Sequence, residues 1–246
     1  MKTVIVYEDQ DILVCDKPAG LAVQSARASE MDMESELRNY LRGGELHVIH
    51  RLDQPVEGLL VFAKSSKMAA GLEAQVKSGT MQKHYRALVL GRMPQAEGEL
   101  IDEIIKKGNG IGEIVTGNAN SGKKVSGGRG AKKAPEGKQV QRGGDTKAAT
   151  KRAVLSYHVE AYDADTNVSN VKICLQTGRF HQIRLQFSHA GHPLVGDRKY
   201  GDEKAKKCAE ELGITNVALC AERLMFCHPR SGKEMDFGIT PSFHKK

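Results

Sequence analysis

The 246-residue sequence lacks any apolar run approaching the ~20 residues needed to cross a bilayer as a helix. Its opening, Met1-Lys2-Thr3-Val4, runs directly into strand-like sequence without the apolar stretch of a secretory signal, so a cytoplasmic protein is expected. The five cysteines (Cys15, Cys174, Cys208, Cys220, Cys227) are odd in number, scattered, and never spaced as C-x-x-C. That spacing speaks against both a disulfide framework and a zinc site, and leaves them as small core residues. No glycine-rich loop of the kind that cradles a nicotinamide or a phosphate donor is visible, and no segment repeats with a fixed period.

Positive charge is what the chain has in excess, and it is unevenly placed. The net charge is +7, yet residues 118–152 alone carry ten basic residues against two acidic ones, which leaves the remainder near neutral at −1. From about Ile105 to Thr150 the sequence is rich in Gly, Lys, Arg and Ser, with little apolar periodicity after Val115. Such a stretch buries too little surface to offset an ordering entropy of about 1 to 2 kcal/mol per residue, so residues 106–150 are expected to be a flexible basic insertion. An insertion of that charge is suited to a salt-sensitive contact with a polyanion.

On either side of it the pattern alternates between strands and helices. Thr3 to Glu8 and Ile12 to Cys15 form a hairpin signal, and Ser29 is placed to cap a helix with Met33, Leu37, Tyr40 and Leu41 on one face, stopped at Gly43-Gly44. Leu59 to Ala63 reads as a buried strand. Ser65 or Ser66 opens a second helix with Ala69, Leu72 and Val76 on one side and Gly79 just past its end. Met81 to Leu90 is a strand with Tyr85, Ala87 and Val89 on one face. After the insertion, Ala153, Leu155, Tyr157 and Val159 alternate, then Val171, Ile173 and Leu175, as in a hairpin. A short helix is expected over His181 to Ala190 with Ile183, Phe187 and Ala190 inward, and another over Lys204 to Leu212, stopped by Gly213. Val217 to Phe226 and Glu234 to Phe237 then close the sheet. The fold class is α/β (α+β), a single domain over residues 1–246 on a mixed, mostly antiparallel sheet.

Two strings of residues carry the chemistry. His50-Arg51-Leu52-Asp53-Gln54-Pro55 places a carboxylate at the mouth of a Pro-interrupted turn that feeds the strand from Leu59. Gly178-Arg179-Phe180-His181-Gln182-Ile183-Arg184 places cationic and aromatic side chains at the start of a helix, and Gly191-His192-Pro193-Leu194-Val195-Gly196-Asp197 with Tyr200-Gly201 follows. One acid beside a turn is commonly bonded only to nearby amides. Two such strings in one chain are far less common.

Together with Asp16-Lys17-Pro18-Ala19-Gly20-Leu21 and Lys83-His84-Tyr85-Arg86, these strings resemble the RluA-type pseudouridine synthases, which isomerise uridine in RNA. The resemblance covers roughly residues 5–91 and 153–240, in the family's order. It implies a reaction that detaches uracil from its ribose, turns the base, and rejoins it through carbon. Nothing is oxidised and no group is imported, so no cofactor and no metal are expected. The resemblance makes Asp53 the acting carboxylate, either attacking the anomeric carbon or taking the 2′ proton, Arg184 its counter-cation and Tyr85 the surface on which the extruded base lies. Arg51 is expected to enter the RNA stack where the base has left, with Lys17, Lys64, Arg179 and His181 as weaker candidates for phosphate contacts or pocket lining. Ribosomal or transfer RNA is the expected partner, the chain acting as a monomer. The small RNA-binding domain that many relatives carry ahead of the catalytic region is not expected here, since the catalytic pattern begins within the first ten residues.

The pattern departs from the family at Val56 and Glu57, where hydroxyl or small residues are usual, and at Phe180, where Thr is usual. These departures keep a second reading in view, an RNA-binding protein of the same fold without activity. A metal-dependent hydrolase using His47, His50, Asp53 and His181 is a third, though His47-Val48-Ile49-His50 fits no strong zinc spacing and Arg51 beside it would oppose a cation.

Overall fold

The computed structural model describes residues 1–25, 30–108, 110–115 and 149–244. Strands β1 (Val4–Glu8) and β2 (Ile12–Lys17) form the expected hairpin, and Asp9 turns it by accepting the amides of Asp11 and Ile12. Helix α1 (Met33–Tyr40) begins one turn later than expected, capped by Asp32, which accepts the Ser35 amide at 2.8 Å; Ser29 lies outside the described residues. Met33 and Leu37 are buried, whereas Tyr40 is exposed and bonds Glu8. Strands β3 (His47–Val48) and β4 (Glu57–Ala63) follow. Helix α2 (Ser66–Ser78) is capped by Ser65 and ends on left-handed Gly79, as the sequence indicates.

Strand β5 (Gln82–Leu90) leads into β6 (Glu97–Lys106), which sequence reasoning did not identify because Leu100, Ile101, Ile104 and Ile105 follow no clean two-residue period. Strand β7 (Gly112–Ile114) pairs back on β6, so residues 106–108 and 110–115 belong to an ordered hairpin rather than to the expected insertion. The rest of that expectation, residues 116–148, lies outside the described residues. Beyond it come β8 (Lys151–Asp163) and β9 (Val168–Leu175), then α3 (Gln182–His189), α4 (Glu203–Glu211), β10 (Leu219–Cys227) and β11 (Glu234–Gly238). Ala190, expected to face inward at the end of α3, is exposed; residues 182–187 are instead buried all round.

The eleven strands of the described residues belong to one sheet, ordered β1-β2-β4-β10-β5-β9-β8-β6-β7, with β11 on β10 and β3 on β4. Every pair is antiparallel except β4 with β10, so the sheet is mixed and mostly antiparallel. Strands β2 and β4 are buried on both faces, which explains their continuous apolar sequence. On one face Leu13, Cys15, Leu60 and Phe62 pack with Met33 and Leu37 of α1, Tyr85, and Ile183 and Phe187 of α3. On the other, Ile12, Val14, Leu59 and Val61 pack with Ala69 and Leu72 of α2. Tyr85 and α3 are therefore on the same side of the sheet.

The β4–β10 junction sets where β4 begins. Gly58 has φ +126°, and a Cβ there would lie 2.5 Å from the amide nitrogen of Ala221. Only glycine permits this approach. The five cysteines are free, three buried, one half-buried and one exposed.

Candidate active site

Asp53 stands at the turn just before β4. The turn is closed by the Val56 amide donating to the Asp53 carbonyl at 3.0 Å, and Val56 packs into the core. A second anchor comes from Lys17 at the end of β2. Its side chain is 0% exposed, and its ammonium donates to the carbonyls of Pro18 (3.0 Å), Leu21 (2.7 Å) and Gln54 (3.0 Å). Burial pushes the Lys17 pKa down to about 8, with Asp53 and Glu57 opposing. The expectation that Lys17 meets phosphate is thereby corrected: all three donors are spent inside the protein. Lys17 tethers the residue next to Asp53.

Arg184, on the first turn of α3, reaches across to this turn. Its Nη1 donates to Oδ2 of Asp53 at 2.9 Å, while Nε and Nη2 grip both oxygens of Asp197 at 2.7 and 2.8 Å. Asp197 is 1% exposed and also accepts the amides of Lys199 and Tyr200. Burial disfavours the charge on Arg184, but its bonds to Asp197 and Asp53 outweigh that and raise its pKa. Burial likewise opposes the Asp197 charge, and the Arg184 guanidinium more than compensates, holding that carboxyl below the ordinary range. Arg184 is thus a permanent cation oriented by one carboxylate and presented to another. The Asp53 side chain keeps 26% of its surface open.

Tyr85 is 6% exposed on β5, and its pKa is raised by burial first and then by the Asp53 charge, so the phenol stays protonated. His181, in the left-handed region at φ 50°, heads α3; its Nε2 lies 3.7 Å from Asp53 Oδ2 and its Nδ1 lies 2.6 Å from the Tyr200 hydroxyl. Phe180, the family departure, stacks on the His181 ring at 3.7 Å, with the Lys106 ammonium 4.8 Å above its own centroid. Asp53, Arg184 and His181 are therefore brought together, with Tyr85 on the same side of the sheet and within the reach of the Asp53 charge. Arg51 is exposed two residues ahead of Asp53, and exposed Arg179 donates to the Arg152 carbonyl at 2.8 Å.

Lys64 is not part of this group. It follows the far end of β4, some seven residues or roughly 23 Å of strand from the Asp53 turn, and ties the β1–β2 turn through Glu8 and the Asp9 carbonyl. Sequence reasoning also passed over Asp197 and Tyr200. Both lay inside a string already singled out, but a buried acid's partner cannot be read from spacing alone.

The ligand set imagined for a metal does not converge. His47 pairs with Glu45, and half-buried His50 accepts the Val61 amide on Nε2 at 3.4 Å. Among the described residues the group with metal-ligating geometry is Asp9, Asp11 and His228. There Arg230 occupies the Asp11 carboxylate, and Tyr7 and His228 bond Asp9.

The sheet and the placement of its helices define a pseudouridine synthase fold. Two human proteins, RNA Pseudouridylate Synthase Domain Containing 1 and Domain Containing 4, superpose with TM-scores of 0.70 and 0.71 at 20% and 22% identity. Both alignments cover 97% of this chain, and 83% and 88% of the respective human chains. Residues 11–189 match the RNA pseudouridylate synthase family, and the chain belongs to that family.

Among its relatives are ribosomal large subunit pseudouridine synthase D of Zymomonas mobilis, 32% identical over 95% of this chain, and synthase C of Vibrio cholerae, 30% identical over 94%. The chain spans about two thirds of these proteins, 67% and 64% of their lengths. It is also 31% identical, over 92% of its length, to tRNA pseudouridine synthase C of Pasteurella multocida, of which it covers 86%.

Proposed function

We propose that this chain is an RNA pseudouridine synthase, converting selected uridines of ribosomal or transfer RNA. The observation that carries this reading is the 2.9 Å contact between Arg184 and Asp53, on the side of the sheet that holds Tyr85. A uridine leaves its stack and lies against Tyr85, and Asp53 acts at its ribose, either bonding to the anomeric carbon or taking the neighbouring 2′ proton. The bond from the anomeric carbon to the base nitrogen breaks, the base turns, and a base carbon bonds the anomeric carbon as the Asp53 bond breaks or the 2′ proton returns; that base carbon then gives up its proton and the freed nitrogen takes one up. Arg184 sets its cation against the Asp53 carboxylate at 2.9 Å in a partly enclosed site and so orients that carboxylate. Tyr85, held protonated by burial, offers both a π-face and a hydroxyl close to the turning base.

Arg51, exposed beside the acid, is suited to fill the gap left in the RNA stack, and Arg179 to meet phosphate. The reaction is redox-neutral and imports no group, so it calls for no cofactor. A cytoplasmic monomer accords with this reading; no helix of the described residues is long and apolar enough to cross a membrane. The family departures do not mark decay of the site. Val56 is core, and Glu57 accepts the Ser242 amide at 2.7 Å, so both have structural places.

The test is to incubate unmodified ribosomal and transfer RNA transcripts with wild type and with Asp53→Ala, and to count pseudouridine. Wild type is expected to form it at defined positions and the variant to lose at least ~1000-fold in rate. Equal yields from the two proteins would remove the enzyme reading and leave the RNA-binding one.

A further inference from the structure

Tyr200 is placed between a backbone donor and an imidazole. Its hydroxyl oxygen accepts the Gly112 amide of β7 at 3.0 Å and lies 2.6 Å from Nδ1 of His181. A phenolic hydroxyl has a single hydrogen. With Gly112 donating into the oxygen, that hydrogen remains to be given, and among the described residues Nδ1 is the acceptor in reach. Nδ1 is then bare, and the one proton of a neutral imidazole sits on Nε2. The other side of the ring favours the same arrangement. Nε2 faces Oδ2 of Asp53 at 3.7 Å, where a bare nitrogen lone pair would be repelled by the carboxylate and an N–H is attracted.

The ring is neutral over the working range. Burial pushes the His181 pKa down to about 4; Asp53 and Asp197 oppose the shift, while Arg184 and Lys199 add to it. The approach of β7 is close, since a Cβ at Gly112 would lie 2.5 Å from Leu185 Cδ1 and 3.3 Å from the Phe180 ring. Glycine thus lets the hairpin carry its amide to the phenol.

We propose that Tyr200 is a positioning residue: pinned by the Gly112 amide, it fixes His181 as the Nε2–H tautomer, so that His181 and Arg184 both hold Oδ2 of Asp53 and leave Oδ1 for the ribose. Among the described residues Oδ1 has no hydrogen-bond partner, in keeping with this division of labour between the two oxygens. The inference rests on the synthase reading for the role of Asp53, but the tautomer it assigns belongs to the protein without RNA.

The experiment has two arms. Long-range proton–nitrogen correlation spectra of the RNA-free full chain, with His181 assigned by its loss in His181→Gln, should show an Nε2–H imidazole in wild type and a mixture of tautomers in Tyr200→Phe. On a transcript that wild type modifies, Tyr200→Phe should lower the single-turnover rate about 10-fold with KM unchanged, and His181→Gln, whose amide restores a donor near Nε2, should exceed His181→Ala by a similar factor. An Nδ1–H imidazole in wild type overturns the proposal, as does a Tyr200→Phe protein in which either the tautomer or the rate is unchanged. Full activity in Asp53→Ala would instead overturn the synthase reading and leave the tautomer result standing.

Discussion

At the scale of single residues, the arrangement around Asp53 works because each donor nitrogen of Arg184 is assigned to one carboxylate. Asp197 takes two of the three donor nitrogens of Arg184, and that leaves Nη1 alone for Asp53. Removing the Asp197 charge leaves the buried guanidinium with the partly open Asp53 as its remaining carboxylate, and breaking a buried pair costs about 3 kcal/mol or more. Asp197→Asn should therefore lose roughly that much stability in urea unfolding at pH 7, and most of its activity. The pH dependence has a definite sign. The folded pKa of Asp197 lies below its unfolded value of about 3.9, so its contribution is complete above that value and disappears as pH falls through the folded pKa. The gap between wild type and Asp197→Asn should be full at neutral pH and narrow below pH ~4; a gap that persists unchanged at pH 2 would contradict this account.

Asp53 and Arg184 were legible in the sequence because each stands within a long string of distinctive residue types. The same reasoning overreached at Lys17 and Lys64, because a lysine's type says nothing about where its ammonium ends. One turns inward to three carbonyls and the other sits at the opposite end of a strand.

At the scale of elements, the parallel junction of β4 with β10 decides where the Asp53 turn stands. Gly58→Ala must either leave φ +126° or push a methyl into the backbone of Ala221. Expected is a loss of about 3 kcal/mol or more, read as a lowered thermal midpoint, together with reduced pseudouridine formation. A variant as stable and as active as wild type would mean that the junction does not hold the turn. Helix α2 was readable from its cap and stop glycine, α4 from its stop glycine, and β8–β9 from clean alternation. Strand β6 was not, since it is an outer strand whose apolar residues serve different neighbours: Ile104 packs on α3 with Leu185, while Ile101 is exposed. Long-range pairing, rather than local pattern, makes it a strand.

At the scale of the whole molecule, charge and architecture divide neatly. Residues 116–148 hold eight basic and two acidic residues, +6 of the total +7, and the chain leaves and re-enters the sheet beside one residue. Ile104 of β6 faces Ile114 of β7 on one side and Lys151 of β8 on the other. Replacing residues 117–147 with a short Gly-Ser linker should accordingly shift the thermal midpoint by no more than ~2 °C, because the flanks are already held by their own strand pairs. RNA affinity should drop and become less salt-dependent, the slope of log K against log salt flattening by up to about 6, near 0.7 per lost cation contact on a single strand. An unchanged slope would remove this segment from RNA contact. The shared anchor at Ile104 also frees the fold from any particular length at this place: a loop of twice the size costs only about 0.6 kcal/mol more to close. The edge of the sheet is in effect a socket, into which a longer tether, a reporter or a foreign RNA-binding module can be plugged without disturbing the strands on either side.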